Sequence, residues 1–218
     1  MSIAENIAAI KAKLPGNVRL VAVSKTKPVE LLQEAYDSGQ RIFGENKALE
    51  MRDKHTVLPT DIEWHFIGHL QSNKIKYIAP FVSLIHSVDS LELLKAIDKE
   101  AAKNNRVIPC LLQVYIANED TKYGLDDAEL FALLDTLQTQ PLANIALYGL
   151  MGMATFTDDK AQVQKEFGHL AALFNKVKAG CNLPEFTELS MGMSGDYKEA
   201  ISEGSTLIRI GSDIFGHR

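Results

Sequence analysis

Strand-like and helix-like segments alternate along the whole of this chain, and that alternation limits the folds it can adopt. Short apolar runs typical of buried strands occur at 18–24, 41–44, 63–67, 84–88, 108–115, 145–151, 187–191 and 207–211. Helical patterns lie between them at 29–38, 47–56, 72–79, 90–104, 126–138, 159–179 and 196–203. Repeated βα units build parallel sheets, and eight strands is the number that closes a barrel. We therefore predict an α/β fold, a (β/α)8 TIM barrel.

We expect one domain, covering residues 1–218. A chain of 218 residues with 46% hydrophobic content can bury one substantial core and lies near the lower end of the size range of TIM barrels. Residues 1–14 have an amphipathic pattern, which predicts an extra N-terminal helix before the first strand. An open doubly wound sheet is the alternative, but it requires a Gly-rich turn after the first strand. Residues 24–28 contain no glycine.

Charge and cysteine content bear on partners and compartment. The formal net charge is −5, and the basic residues are dispersed among acidic ones, so we expect no nucleic-acid partner. Cys110 and Cys181 are far apart and lack CxxC spacing, which is typical of reduced thiols. No apolar run approaches transmembrane length, and the N-terminus lacks the apolar core of a signal peptide. We expect a cytoplasmic protein with no membrane partner.

Lys25 ends the first predicted strand, at the point where helical periodicity begins. Both open and closed α/β folds place their chemistry at the carboxyl ends of their strands. A lysine flanked there by apolar walls can lose its proton and attack a carbonyl as a free amine. The alternative is a solvated loop lysine with no chemical role. The sequence therefore makes Lys25 a candidate nucleophile.

Two loops have the composition of a phosphate site. After the seventh strand, Ser194 is placed to cap the next helix, and Gly192 and Gly195 would let a ligand approach the backbone closely. After the eighth strand, Gly211 and Ser212 repeat the arrangement. Loops at these two positions form the usual phosphate site of TIM barrels, although each could also be an ordinary cap and turn. As a pair they favour a phosphorylated ligand.

Arg209 lies in the eighth strand, on the opposite face from Ile208 and Ile210. A guanidinium in a strand that is buried on both sides requires a polar partner. From the residues alone, a salt bridge to a barrel carboxylate and a ligand contact are equally good explanations.

Five sequence blocks lie in the order found in the pyridoxal phosphate homeostasis protein family. They are VAVSKTKP at 21–28, FGEN at 43–46, WHFIGHLQSNK at 64–74, GMS at 192–194 and IRIGSDIFG at 208–216. The chain resembles this family over almost its whole length. The resemblance implies a barrel related to the N-terminal domain of alanine racemase, and it implies that pyridoxal 5′-phosphate (PLP) is the cofactor.

The resemblance also implies roles for individual residues. Lys25 would form the Schiff base with PLP, Asn46 would lie near the cofactor, and Arg209 would face its pyridine nitrogen. The loop residues Ser194, Gly195, Gly211 and Ser212 complete the expected cofactor site. Two positions depart from the family pattern: Lys47 replaces the usual tyrosine, and Asp213 replaces a small neutral residue. A carboxylate at Asp213 either repels the phosphate or points away from it.

His65 and His69 are four residues apart, which suggests a metal site. They bracket a strand end, however, and no third ligand accompanies them at a recognisable spacing. We therefore expect hydrogen-bonded structural roles and no metal. Asn73 and Lys74 follow the third strand and are expected at the same end of the barrel as Lys25.

The resemblance implies a PLP-binding protein that carries or buffers the cofactor and supports amino-acid and keto-acid homeostasis, with no established catalytic activity. PLP-dependent apoenzymes are the candidate partners. One alternative is an amino-acid racemase, which needs a second acid or base on the opposite face of its substrate. The other is a Schiff-base aldolase for sugar phosphates, but the lysine of such enzymes usually lies on a later strand.

Overall fold

Eight parallel strands close into a barrel, which confirms the predicted fold class. The computed structural model describes residues 2–118 and 123–216, so the predicted domain limits at 1 and 218 lie outside the described residues. The strands follow sequence order around the barrel, and β1 and β8 pair to close it. They are β1 Arg19–Val23, β2 Ile42–Glu45, β3 Glu63–Phe66, β4 Leu84–Val88, β5 Ile108–Gln113, β6 Ile145–Met151, β7 Glu188–Ser190 and β8 Leu207–Ile210.

Helices cover the outside of the barrel. They are α1 Ile3–Lys11, α2 Val29–Asp37, α3 Ala48–His55, α4 Leu91–Lys103, α5 Asp127–Thr139, α6 Lys160–Gly180, α7 Tyr197–Ser202 and α8 Ser212–Phe215, with a 3-10 helix at Ser72–Tyr77. The order agrees with the sequence prediction, and most boundaries shift by one or two residues. The segment after β3 is a 3-10 helix and not an α-helix. Helix α8 was not predicted, because four residues are too few to show periodicity.

The N-terminal helix α1 is present, as expected. Ser2 and Glu5 form a reciprocal capping box at its start, and Ile3, Ile7 and Ile10 are buried along one face. The Nδ2 of Asn6 donates to the backbone carbonyl of Ile214 in α8. Helix α1 therefore ties the end of the chain to the barrel wall.

Side chains of β8 alternate between two apolar layers. Ile208 and Ile210 belong to the large cluster between strands and helices, whereas Leu207 belongs to a smaller cluster inside the barrel. Because side chains alternate along a strand, Arg209 shares the inner face with Leu207. The guanidinium is therefore inside the barrel, as the sequence pattern indicates.

None of the described helices is long and apolar enough to cross a membrane. Cys110 is buried in β5 and Cys181 lies partly exposed just after α6, and each is a free thiol.

Candidate functional site

A cavity of about 620 Å³ lies at the carboxyl ends of the strands. All seven residues that the sequence analysis assigned to the cofactor line this cavity: Lys25, Asn46, Ser194, Gly195, Arg209, Gly211 and Ser212. They lie at the ends of four strands, β1, β2, β7 and β8, so barrel closure is what brings them together. The wall combines cationic side chains with the apolar groups of Val23, Ile67 and Met153.

Lys25 and Lys27 differ in what holds their side chains. The ammonium of Lys27 donates to the backbone carbonyls of Phe215 and Gly216 at 3.1 and 2.9 Å, which anchors it to the end of α8. Lys25 is half-buried and makes no side-chain hydrogen bond or ion pair with any residue in 2–118 or 123–216. Of the two lysines, Lys25 therefore has the amine that is available to a ligand.

Unpaired backbone donors line the part of the cavity formed by the loops after β7 and β8. The amide groups of Ser194, Gly195 and Gly211 donate to no acceptor within the described residues. The hydroxyl oxygens of Ser212 and Ser194 lie 3.0 Å apart and are hydrogen-bonded, which joins the two loops. Such a set of N–H and O–H groups suits a phosphate, because an anion satisfies several donors at once.

The predicted helix cap at Ser194 was wrong. Asp196 occupies the N-cap position of α7 but makes no side-chain bond to a helix amide, and its Oδ1 accepts from the backbone amide of Met193 at 2.5 Å. Ser194 thus stays in the loop with its hydroxyl beside Ser212. A capping serine and a loop serine two residues earlier look alike in sequence, so the periodic pattern could not separate them.

Gly192 has a packing role that differs from the expected approach to a ligand. Its φ is +95°, and a Cβ atom there would lie 2.6 Å from the Cβ of Ala200 in α7. Gly195 is different, since a Cβ at that position would meet no atom within 4 Å. Gly192 therefore allows the turn that packs α7 on the barrel, and Gly195 leaves the cavity open.

Arg209 is buried and is bonded to neutral groups only. Its guanidinium donates to the hydroxyl of Ser190 and, at 3.0 Å, to the backbone carbonyl of Gly152. Burial lowers the pKa of Arg209 to about 10, and the nearby carboxylate of Asp196 opposes that shift. No carboxylate among the described residues lies within ion-pair distance of Arg209. The buried guanidinium therefore lines the cavity without an ion-pair partner among the described residues.

A chain of polar side chains continues from Arg209 through the barrel interior. The hydroxyl of Ser190 lies 2.9 Å from Nδ1 of His86, and Nε2 of His86 lies 3.0 Å from Nδ1 of His65. Burial lowers the pKa of both imidazoles, that of His65 to about 3. The expected hydrogen-bonded role of His65 is confirmed. Sequence analysis missed Ser190 and His86, because both lie within apolar strands and carry no local signal.

His69 is separated from His65 and lies at the protein surface. Its Nδ1 is 3.5 Å from Asp89, and its ring stacks on Tyr123 at a centroid distance of 4.4 Å. Within residues 2–118 and 123–216 there is no group of three potential ligands that could hold a metal ion. The spacing of the two histidines in sequence therefore does not correspond to a shared site.

Asn46 lies between the main cavity and a second one of about 330 Å³. Its Oδ1 is buried without a hydrogen-bond partner.

Lys47 and Lys74 line only the second cavity, and Asn73 is exposed and lines neither. Asp213 is also exposed and absent from the lining, but its carboxylate accepts from the Ser212 hydroxyl at 3.2 Å.

The loop after β6 and the start of α6 supply cavity residues that the sequence did not indicate. Thr155 and Lys160 both line the wall. The ammonium of Lys160 donates to the backbone carbonyl of Gly195 at 2.8 Å and lies 3.3 Å from Glu199. A lysine in the first turn of a surface helix is ordinarily solvated, so only the folded barrel reveals its position.

Comparison with known proteins agrees with this geometry. The family model of the alanine racemase N-terminal domain matches residues 1–218. A pyridoxal phosphate homeostasis protein of Aquifex aeolicus is 39% identical over 201 residues, covering 92% of this chain and 87% of that protein. Another, from Synechocystis, is 41% identical over 211 residues, covering 96% and 95% of the two chains.

Solved structures of one relative are closely similar. PipY of Synechococcus elongatus without PLP has a TM-score of 0.92 at 38% identity, and covers 99% of this chain and 100% of its own. The same protein with PLP bound has a TM-score of 0.89 at 37% identity, with the same coverage. With its barrel fold, its matched family model and relatives at 39% and 41% identity, this chain belongs to the pyridoxal phosphate homeostasis protein family.

Proposed function

We propose that this protein binds PLP in the main cavity, attaches it covalently to Lys25, and carries or buffers the cofactor for amino-acid and keto-acid homeostasis. One observation carries the proposal: a single cavity holds an unbonded lysine amine, unpaired backbone amides in two loops and a buried guanidinium. These groups fit the aldehyde, the phosphate and the pyridine nitrogen of PLP respectively. PLP binding by the relative PipY supports the same assignment.

The phosphate group is held by Ser194, Gly195, Gly211 and Ser212. The backbone amides of Ser194, Gly195 and Gly211 have no acceptor among the described residues, and the hydroxyls of Ser194 and Ser212 can reorient towards an anion. Charge-assisted hydrogen bonds to an anion are roughly twice as strong as neutral ones. Lys160 adds a positive charge close by, because its ammonium already bonds to the carbonyl of Gly195.

Arg209 faces the ring nitrogen. A guanidinium has only donors and keeps its proton. It can therefore donate a hydrogen bond to the ring nitrogen only when that nitrogen is unprotonated and can accept. When bound, PLP supplies an electrophilic aldehyde and an electron-withdrawing ring, and the ring withdraws electrons less strongly when its nitrogen carries no proton. Arg209 thus favours retention of the cofactor over broad carbanion chemistry. Asn46 lies at the edge of the same site.

A role in carrying the cofactor, and not in catalysis, follows from the groups around Lys25. Racemases require a second acid or base on the opposite face of the substrate. One candidate in the cavity wall, Lys27, is anchored by the carbonyls of Phe215 and Gly216. PLP-dependent apoenzymes are the proposed recipients of the cofactor.

Reductive trapping tests the proposal directly. The purified protein should show a visible absorption band with PLP, and borohydride should fix the pyridoxyl group on the peptide that contains Lys25. Lys25→Ala should remove the band, whereas the matched variant Lys27→Ala should retain it. Retention of the full band in Lys25→Ala would refute the assignment.

A further inference from the structure

The backbone immediately after Lys25 has an unfavourable conformation. Thr26, the next residue, has a φ of +63°. Side chains branched at Cβ rarely adopt the left-handed region, and strain of this kind persists only where surrounding contacts impose it. The position of Lys25 therefore depends on whatever holds Thr26.

Glu50, in the first turn of α3, provides that contact. Its Oε1 accepts from the backbone amide of Thr26 at 2.6 Å. The same oxygen accepts from the ammonium of Lys54 at 2.7 Å. The peptide group that follows Lys25 is thus held by a carboxylate whose own position is set by a lysine one helical turn further along.

Lys54 also holds the peptide group that precedes Lys25. Its ammonium donates to the backbone carbonyl of Ser24 at 2.8 Å and to Oε1 of Glu45 at 2.7 Å. With Glu50, these bonds use all three ammonium donors. The hydroxyl of Ser24 donates to the same Oε1 of Glu45 at 2.6 Å. The ammonium of Lys54 consequently holds both peptide groups next to Lys25. It bonds directly to the preceding one, and it holds the following one through Glu50.

The cluster is costly to bury. The side chains of Lys54 and Glu45 are 7% and 0% exposed, and Oε2 of Glu45 has no hydrogen-bond partner. Burial raises the pKa of Glu45 although Lys54 opposes that shift. Apolar residues of similar size often stabilise a protein as well as a buried ion pair does. Stability alone therefore does not explain these charges, but control of the Lys25 backbone does.

We propose that Lys54, Glu45 and Glu50 are positioning residues that hold the Ser24–Thr26 backbone so that the Lys25 amine faces the cofactor cavity. This role rests on the proposed attachment of PLP to Lys25. None of the three residues lines the main cavity, so they act through the backbone and not by touching the ligand.

Variants of Glu50 test the proposal while leaving the buried ion pair of Lys54 and Glu45 in place. Glu50→Ala removes the acceptor for Thr26 but leaves Lys54 bonded to Glu45. Covalent attachment of PLP should weaken about tenfold, the equivalent of about 1.4 kcal/mol, which lies within the range of strain at such a residue. Affinity for pyridoxamine 5′-phosphate, which has an amine in place of the aldehyde, should remain within about twofold, because the phosphate loops and Arg209 are unchanged.

Glu50→Gln is the conservative variant, since its amide oxygen can still accept from Thr26. It should restore most of the attachment lost in Glu50→Ala. In the protein without PLP, amide exchange at Thr26 should be faster in Glu50→Ala than in the wild type and in Glu50→Gln. Glu92→Ala, an exposed glutamate of α4, is the matched control and should change neither readout.

The possible failures are distinguishable. If the wild type forms no covalent bond at Lys25, the proposed function fails and this role fails with it. If the wild type forms the bond and Glu50→Ala forms it equally well, the positioning role alone is overturned. An equal loss of pyridoxamine 5′-phosphate affinity would also overturn it, because it would indicate general damage to the cavity.

Discussion

Arg209 donates a hydrogen bond from its guanidinium to the hydroxyl oxygen of Ser190 inside the barrel. Because arginine has only donors, the Ser190 proton must point elsewhere, and Nδ1 of His86 at 2.9 Å is the available acceptor. His86 then carries its proton on Nε2 and donates it to Nδ1 of His65. The donor-only chemistry of Arg209 therefore sets the direction of every bond in this chain.

The imidazoles of His65 and His86 should remain neutral at pH values where histidines of the unfolded chain become protonated, because burial lowers the pKa of both. Histidines of the unfolded chain titrate near pH 6.5, so below that pH the unfolded state binds more protons than the folded one. Stability should then fall as pH falls, by up to about 1.4 kcal/mol per pH unit for each imidazole. Denaturant unfolding between about pH 7.5 and 5.5 measures this slope.

Two comparisons test whether the pH dependence of stability arises from His65 and His86. Replacing both His65 and His86 with glutamine should flatten it, whereas His169→Gln, which alters an exposed histidine beside Asp127, should not. The 15N chemical shifts of the His65 and His86 rings should show no protonation over the same range. Titration of either ring near pH 6.5 would contradict the prediction.

Pyridoxal should bind far more weakly than PLP. Without the phosphate, the donors of Ser194, Gly195, Gly211 and Ser212 lose their anion, and hydrogen bonds to charged groups contribute about 1.5 to 3 kcal/mol each. We expect a loss of at least about a hundredfold, measured by titration of the absorption band. Equal affinities would show that the two loops do not hold the phosphate.

Asp213→Asn should strengthen PLP binding about twofold to threefold. The carboxylate accepts from the Ser212 hydroxyl and adds negative charge beside the proposed phosphate site, but it is exposed and therefore screened. The gain should be larger at low salt than at high salt. Asp158→Asn, which removes a carboxylate from the cavity wall in a different loop, shows whether any lost negative charge has the same effect. An unchanged affinity at low salt would mean that Asp213 points away from the ligand.

Arg209→Leu should leave the barrel folded and weaken PLP binding about tenfold to a hundredfold, because the ring nitrogen loses its donor. The absorption band should also shift. Arg19→Leu is the matched control: Arg19 is a strand arginine paired with Glu188 and lies outside the cavity lining. A large stability loss in the PLP-free protein, with unchanged affinity, would instead show that Arg209 supports the barrel through its bonds to Ser190 and Gly152.

Purified protein should show no sustained racemase or decarboxylase turnover with common amino acids. Racemisation requires a second acid or base opposite Lys25, and the amine of Lys27, one candidate in the cavity wall, is held by the carbonyls of Phe215 and Gly216. Chiral chromatography and amine detection after prolonged incubation provide the measurement. Repeated turnovers that disappear in Lys25→Ala, and are absent from a mock preparation, would identify an enzyme.

Periodicity was sufficient to predict the barrel, because each strand and helix has to present apolar side chains at its own spacing. The same alternation put Arg209 on the inner face of β8, opposite Ile208 and Ile210. The seven residues predicted to contact the cofactor all line one cavity, and each lies in or just after a strand. Local pattern could not distinguish the cap at Asp196 from one at Ser194.

Closure of the barrel established the relationships that no local pattern contains. Ser190, His86 and His65 belong to three strands and meet only because the barrel interior is narrow enough for their side chains to touch. Carbonyls at the end of α8 likewise anchor the amine of Lys27, whereas Lys54 of α3 bonds to the backbone beside Lys25. Sequence periodicity thus determined which residues face inward, whereas distances between residues remote in the chain depended on the packed tertiary structure.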